Sequence, residues 1–443
     1  MIDATNAPGD QRLCVIGLGY IGLPTAAMFA TSGTTVLGVD INPRVVQTLK
    51  QGDVHIAEPG LNTLVRAALQ SGKLSVAAAP EPADVFIISV PTPTGHPEDG
   101  EVQADLRHVR AAAEAVVPML RAGNLVILES TVPPRTTVDL LIPVLETSGL
   151  RVSCGDGDGG ELFVVHCPER VLPGKILDEL VSNDRIAGGA SPAAARRAEA
   201  LYRRFVSGEI FLTDATTAEM VKLMENTFRD VNIALANEFA LIADRIGVNV
   251  WEAIGLANHH PRVNILRPGP GVGGHCIAVD PWFLLQAAPQ DASVIRRSRE
   301  INDGMPDYVV RQVRRLTAGI ATPSIACLGL AYKANVDDIR ESPAVEVVER
   351  LSRDGFHVSA FDPHVAEAPQ LACHLAPSLD VAVADAHLIV VLVDHREFAA
   401  IDPTALMTSA RTVLDTRQCL DLAAWRAAGI EGVLLGAGML RDQ

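Results

Sequence analysis

Cys276 is the residue best placed for covalent chemistry. It lies in Pro268-Gly269-Pro270-Gly271-Val272-Gly273-Gly274-His275-Cys276-Ile277-Ala278-Val279-Asp280-Pro281, where four glycines make a backbone that a ligand can approach closely. If the following residues are helical, Cys276 sits near a helix N-terminus, whose exposed N–H groups favour thiolate over thiol. Pro281 is comfortable only in a first turn, so the alternative is a helix that opens with Asp280 as its cap and leaves Cys276 in the turn before it. His275 is not expected to act as the base of a hydrolase dyad, because adjacent side chains seldom point the same way. His259, His260 and His275 lack zinc spacing around Cys276, so no metal site is expected. The other cysteines, Cys14, Cys154, Cys167, Cys327, Cys373 and Cys419, show no disulfide or CxxC pattern and read mostly as buried small apolar residues.

A second polar constellation lies on one long helix expected from about Thr213 to Ile246, free of Gly and Pro until Gly247. Glu219, Lys222, Asn226 and Arg229 recur at three or four residues and share a face, whereas Met220, Leu223, Thr227, Val231 and Leu235 occupy others. The ordinary reading of such a stripe is a solvated helix surface.

A third constellation would hold a dinucleotide. Gly17, Gly19 and Gly22 form GxGxxG directly after an apolar strand, and Asp40 ends the next strand. Gly17 permits the turn, Gly19 admits the pyrophosphate, and Gly22 lets the helix pack close to the sheet. An aspartate at position 40 accepts hydrogen bonds from the adenosine ribose and repels a 2′-phosphate, which favours NAD over NADP.

The elements that position these residues read as α/β. Arg12 to Ile16, Thr35 to Val39, Val85 to Val90, Leu125 to Leu128 and Leu162 to His166 are apolar runs alternating with helical stretches such as Pro24 to Ser32 and Val109 to Leu120, the pattern of a doubly wound parallel sheet. After Pro306 the pattern returns, with strands at Ser324 to Leu328, His357 to Phe361, Leu388 to Val393 and Thr412 to Leu414 and a helix at Pro343 to Arg353. The expected organisation is two Rossmann-like doubly wound domains, 1–205 and 306–443, joined by a central helical domain, 206–305, with one long helix. The loop Gly155 to Gly160 is glycine-rich.

Composition narrows the function classes. A 443-residue chain with 48% hydrophobic and 4% aromatic residues suits an Ala/Val/Leu-rich α/β protein. A net charge of -16, with 37 basic residues in no long run, argues against nucleic-acid binding. The opening MIDATNAPGDQR does not resemble a secretory signal, and no segment reaches the roughly 18 apolar residues of a membrane helix. A cytoplasmic enzyme without membrane contact is the expectation.

Six segments in order, VIGLGYIGLPTAAMFA, ESTVPPRTT, HCPERVLPGK, EMVKLMENTFRDVNIALANEFA, GPGVGGHCIAVDPWF and GLAYKANVDDIRESPA, together resemble the UDP-glucose/GDP-mannose dehydrogenase family over nearly the whole chain. The resemblance implies oxidation of C6 of a UDP-sugar to a carboxylate with two NAD, through a cysteine thioester, to supply polysaccharide precursors. The N-acetylhexosamine branches fit best, with N-acetylmannosamine first and its gluco and galacto epimers as rivals. It further implies Cys276 as nucleophile, Lys222 and Asn226 as oxyanion donors, Asp280 in proton transfer and hydrolysis, and Thr131 and Glu169 at the hydrolytic water. By the same likeness Tyr20, Ile21, Thr92, Thr131 and Arg340 join Gly17, Gly19, Gly22 and Asp40 at the cofactor. Glu169, Arg170, Val171, Lys222, Asn226, Arg262, Gly273 and Lys333 fall to the substrate, with Arg262 offered to a neighbouring subunit of a homodimer or larger assembly.

Three departures from the family pattern bear on these roles. Arg170-Val171-Leu172-Pro173-Gly174 stands where other branches carry a second glutamate, Val279 replaces a lysine before Asp280, and His275 replaces the usual serine. Two alternatives stay open at this point: a two-electron hydroxyacid dehydrogenase, which leaves Cys276 and the third domain without a purpose, and a non-catalytic nucleotide-sugar sensor.

Overall fold

A computed structural model describes residues 11–95, 102–155, 159–369, 371 and 373–438. The opening residues 1–10 and the middle of the Gly155 to Gly160 loop lie outside the described residues. The chain divides into two compact units, Met1–Glu225 with Trp282–Ala287, and Asn226–Pro281 with Ala288–Gln443.

In the first unit the strands are β1 (Arg12–Ile16), β2 (Thr35–Val39), β3 (Leu74–Ala77), β4 (Val85–Ile88), the short pair β5 (Thr94–Gly95) and β6 (Gln103–Ala104), β7 (Leu125–Leu128), β8 (Phe163–His166), β9 (Arg185–Gly189) and β10 (Ile210–Asp214). Their eight-stranded sheet runs β10-β9-β8-β7-β4-β1-β2-β3. Alternation along β1 sends Leu13 and Val15 to one core and Cys14 and Ile16 to the other, which is why the strand reads as an unbroken apolar run. The sheet departs from the all-parallel expectation at one edge. β9 pairs antiparallel with β8, and β10 follows β9 in parallel, so a strand beyond residue 205 completes the first sheet.

In the second unit β11 (Ser324–Leu328), β12 (His357–Phe361), β13 (His374–Leu375), β14 (Leu388–Val391), β15 (Thr412–Asp415) and β16 (Glu431–Leu434) make an all-parallel sheet in the order β13-β12-β11-β14-β15-β16. Counted within its own sheet this is 3-2-1-4-5-6, the dinucleotide-fold order. The molecule is therefore α/β with two Rossmann-like sheets and a central helical region.

The long helix spans Ala215–Ile246. It starts where Asp214 accepts hydrogen bonds from the Thr217 N–H (2.9 Å) and hydroxyl (2.6 Å), and it ends where Gly247 takes φ 77° and its N–H bonds the Ala243 carbonyl. Its polarity is inverted relative to a solvated stripe. Glu219, Lys222, Asn226, Asp230, Asn237 and Asp244 are buried, while Met220, Met224, Phe228, Leu235, Phe239, Ile242 and Ile246 are exposed. Arg229, at the margin of the polar arc, is exposed and does not share the burial of Lys222 and Asn226.

Candidate active site

The nucleotide loop follows β1. Gly17 has φ 92°, and a Cβ there would stand 2.4 Å from the Ser89 carbonyl oxygen; a Cβ on Gly22 would stand 1.9 Å from the Gly17 carbonyl oxygen. Backbone packing alone therefore requires both glycines. Gly19 differs, because nothing lies within 4 Å of the place its Cβ would take. The protein does not need glycine there, whereas a pyrophosphate laid against the backbone does. The Asp40 carboxylate accepts from the Leu18 N–H (3.0 Å) and the Asn42 N–H (2.8 Å), which fixes it beside the loop with lone pairs remaining for ribose hydroxyls. Tyr20 and Ile21 are part-exposed at the head of the helix Gly22–Thr31. These residues fit NAD. Asp40→Ala is expected to weaken NAD binding about tenfold or more, since a hydrogen bond to a charged group contributes roughly 1.5–3 kcal/mol. Unchanged NAD affinity by calorimetry would remove the ribose assignment.

Three further segments of the first unit carry candidate residues. After β4 and β7, the Thr92 hydroxyl donates to the Thr131 carbonyl (2.7 Å), and the Ser130 hydroxyl exchanges bonds with the Val90 carbonyl (2.7 Å) and N–H (3.0 Å). After β8, Glu169 accepts from the Arg170 N–H (2.8 Å) and from Arg185 (2.6 Å), with Arg170 and Val171 part-exposed beside it. Arg170 in turn faces Glu225 at 3.3 Å. The start of the long helix brings Lys222, 8% exposed, and Glu219. Glu219 accepts from the Arg135 N–H (2.5 Å), the Thr137 N–H (2.7 Å) and the Thr137 hydroxyl (2.6 Å), so it pins the stretch that follows Thr131 to the helix turn carrying Lys222. Burial pushes the Glu219 carboxyl up to about 7, against these donors.

The helix Asp280–Ala287 begins at Asp280, and Cys276 lies in the turn before it, the second of the two arrangements the sequence allowed. The Cys276 carbonyl accepts from the N–H of Val279 (3.1 Å) and Asp280 (2.8 Å). Asn226 donates to the buried Asp280 carboxylate at 2.5 Å. Asn226 therefore lies one helical turn from Lys222 in sequence and one hydrogen bond from the Cys276 turn. Cys276 is part-exposed, and its sulfur lies 3.0 Å from His275 Nδ1, contrary to the expectation that these neighbours point apart. The turn, with Gly274 at φ 82°, brings the two side chains to one side.

The loop glycines serve packing more than ligand approach. A Cβ on Gly273 would stand 2.4 Å from the Glu341 carbonyl oxygen, and one on Gly274 would stand 2.7 Å from the Tyr332 ring. Arg262 and Lys333 are exposed, and Arg340 pairs with Asp338 through two contacts of 2.9 and 2.6 Å.

Sequence reading missed two buried sets. Arg185 joins Glu169 at 2.6 Å to Glu129 at 3.8 Å, and Tyr202 donates to Glu129 at 2.6 Å. The base of the cysteine loop hangs on amides: the Gly269 N–H bonds Asn237 (2.9 Å), Asn237 bonds Asn302 (2.9 Å), and Asn302 bonds Asp230 (2.8 Å), which also holds Arg299 (2.6 Å). Charged residues inside an apolar strand such as Arg185-Ile186-Ala187 were the available signal. Of the remaining cysteines, Cys14, Cys167 and Cys327 are buried, but Cys373 and Cys419 are part-exposed and Cys154 is exposed, so fewer are core residues than expected. Burial pushes the Cys14 and Cys167 thiols up to about 11, which leaves them unreactive near neutrality.

The nucleotide loop and the two sheets define an NAD-dependent dehydrogenase. Profiles of the UDP-glucose/GDP-mannose dehydrogenase family match the chain in sequence, the NAD binding domain at residues 11–206, the central domain at 216–304 and the UDP binding domain at 326–422, and the chain belongs to that family. It is 49% identical over 437 residues, 97% of each chain, to a UDP-N-acetyl-D-mannosamine dehydrogenase of Methanococcus maripaludis. It is also 49% identical over 410 residues, 92% of this chain and 96% of the other, to an NDP-N-acetyl-D-galactosaminuronic acid dehydrogenase of Ralstonia nicotianae. Among solved structures it is similar to the UDP-D-ManNAc dehydrogenase of Pyrococcus horikoshii, with a TM-score of 0.88, 44% identity and coverage of 97% of this chain and 100% of that one. No helix among the described residues is long and apolar enough to cross a membrane.

Proposed function

We propose that this enzyme oxidises C6 of a UDP-linked N-acetylhexosamine, UDP-N-acetyl-D-mannosamine foremost, to the uronate in two NAD-dependent steps through a thioester on Cys276. The observation that carries the reaction is the bonded unit in which Asp280 holds the Cys276 carbonyl through its N–H and Asn226 through its carboxylate. The substrate rests on the near-full-length relatives above. NAD supplies the hydride acceptor for both oxidations. Cys276 adds to the C6 aldehyde, and the charge that develops on oxygen is met by the Lys222 ammonium and the Asn226 amide. Asp280 assists the proton movements, and Glu169 with Thr131 orders the water that cleaves the thioester. Arg185 holds Glu169 against rotation, so Glu169 contributes a fixed acceptor. Arg170, Val171, Gly273 and Lys333 contact the UDP-sugar, and Arg262 reaches the substrate of a neighbouring subunit. Thr92 and Arg340 contact NAD.

The equal identity to the N-acetylgalactosaminuronate relative favours a second reading, the galacto epimer. A panel of UDP-sugars assayed for NADH and uronate tests both, and two NADH per uronate are expected. One NADH per sugar with no acid product would sink the four-electron reading.

A homodimer through the long helix completes the proposal. Met224 and Phe228, followed by Leu235, Phe239 and Ile242, form an exposed apolar stripe too long for an isolated surface helix to leave in water. Phe228→Asp with Ile242→Asp is expected to convert the protein to a folded monomer in analytical ultracentrifugation. Both side chains are exposed in the chain, so a dimer that survives the pair of charges would disprove this interface.

A further inference from the structure

Among the described residues, three sites outside the roles given above could carry chemistry. The first is the group His364, His395 and Glu397, whose ligand atoms lie close enough for a metal. His395 Nδ1 accepts from the Asn335 N–H at 2.9 Å and its Nε2 faces Asp362 at 3.0 Å, so neither nitrogen keeps a lone pair for an ion. The second is the mixed-charge groove along Asp307, Arg311, Arg314, Glu346 and Arg350, where Arg314 and Arg350 are paired with neighbouring carboxylates and Arg311 lies over the Tyr308 ring. The third is the contact between His275 and Cys276.

We infer that His275 is a catalytic residue of the thioester cycle, taking the Cys276 proton before addition and returning it to the sulfur when the thioester is cleaved. The inference rests on the proposed role of Cys276. Its geometric basis is the 3.0 Å separation of His275 Nδ1 and Cys276 Sγ in a turn whose backbone is fixed by the bonds from Val279 and Asp280 to the Cys276 carbonyl. Gly274 fixes it from the other side, through its N–H on the Arg340 carbonyl and the Tyr332 ring against its Cα. A thiol becomes a strong nucleophile only as thiolate, and an imidazole at hydrogen-bond distance is the group that makes one near neutral pH.

The proton balance closes at every stage. The S–H proton moves to Nδ1 and the sulfur pair forms the C–S bond to C6, while the carbonyl π pair goes to oxygen and is held there by Lys222 and Asn226. NAD, when bound, would accept the second C6 hydrogen together with its bonding pair, and the oxygen pair re-forms the carbonyl, now that of the thioester. Water adds to the thioester carbon as Asp280 takes one of its protons, the C–S pair leaves on sulfur, the imidazolium proton returns to the thiolate, and the remaining proton of the new carboxylic acid passes to solvent as the carboxylate forms.

The charged groups around His275 are compatible with this cycle. Asp338 interacts electrostatically with His275 from the segment that packs on the loop, the Arg340 guanidinium is bonded to Asp338, and Asp280 stands at the start of the following helix. Burial pushes the Asp338 carboxyl up, but the bonds from Arg340 and the positive charge of Arg340 and His275 outweigh it and keep Asp338 ionised. An ionised Asp338 in electrostatic reach stabilises the imidazolium that the cycle needs.

The test is the pH dependence of Cys276 alkylation by iodoacetamide, read on the Cys276 peptide by mass spectrometry because Cys154 is also exposed. In the wild type the rate is expected to rise with a midpoint below the free-thiol value of about 8.5. His275→Asn, which keeps a polar group near the sulfur without a titrating one, and His275→Ala are expected to raise the midpoint by about one pH unit. They are also expected to slow alkylation at pH 7 roughly tenfold, with the high-pH limiting rate unchanged. A midpoint that stays put in both variants overturns the inference, and so does a lower limiting rate with an unmoved midpoint, which would report access to the thiol instead. Either result leaves the role of Cys276 itself to be decided by uronate formation in Cys276→Ser.

Discussion

Cys276→Ser is expected to cut uronate formation by at least about a thousandfold while NAD affinity stays at the wild-type value. A serine hydroxyl is almost entirely protonated at neutral pH and adds poorly to an aldehyde, whereas a cysteine thiol is intrinsically a far stronger nucleophile. The substitution removes little volume from a part-exposed site and leaves the Asn226–Asp280 bond and the Asp280 N–H on the residue 276 carbonyl in place, so loss of fold is not the expected cause. Rapid-quench measurement of NADH and uronate separates the stages, and the defect belongs after the first hydride transfer. Lys222→Met is the companion, with an expected loss of about 10²–10³ in kcat from a missing oxyanion donor. It should leave Cys276 alkylation untouched, which separates a charge at oxygen from the nucleophile at sulfur. A Cys276→Ser enzyme that makes uronate at the wild-type rate would end the thioester assignment.

Much of this was legible in the sequence, for reasons that differ by element. β11, β12 and the helix Pro343–Arg353 fall on the residues expected, because short apolar runs buried on both faces and a Ser-Pro helix start leave little freedom. Gly17 and Gly22 were readable because packed backbone forbids a Cβ at each, and Gly19 because its spacing to them is that of a pyrophosphate loop. The reversal at the sheet edge, where β9 pairs antiparallel with β8 and carries β10 beside it, was not readable, since strand direction is set by tertiary pairing and Ile210–Asp214 carries the exposed Phe211 and Leu212. The long helix was found; periodicity alone gave its polar stripe the ordinary solvated reading, and it was the family resemblance that turned Lys222 and Asn226 inward, where both are buried. A 3.6-residue period locates two faces and does not say which one water sees. The orientation of His275 relative to Cys276 was not legible, because the neighbour rule holds for extended or helical backbone and a turn after a glycine at positive φ breaks it.

Arg185→Met is expected to destabilise the first unit by about 3–5 kcal/mol at neutral pH, the usual result of removing one partner from a buried charge set. The guanidinium is the cation shared by Glu169 and Glu129, and its side chain is 4% exposed. The same cluster makes stability depend on pH. Burial pushes the Glu129 carboxyl up to about 7, partly offset by the charge of Arg185. An unfolded glutamate titrates near 4.3, so between about pH 4.3 and 7 the folded chain holds a proton that the unfolded chain has lost. The contribution of Glu129 is therefore complete below pH 4.3 and is lost as pH rises through 7. Glu129→Gln keeps an acceptor for the Tyr202 hydroxyl and removes the titration. The variant should match the wild type near pH 5 and exceed it by a few kcal/mol at pH 8, in paired urea titrations. In Arg185→Met the offset is gone, so the loss should continue above pH 7. Equal stability differences at pH 5 and pH 8 would show that Glu129 is ionised throughout, and that the cluster is a fixed salt-bridge network rather than a titrating one.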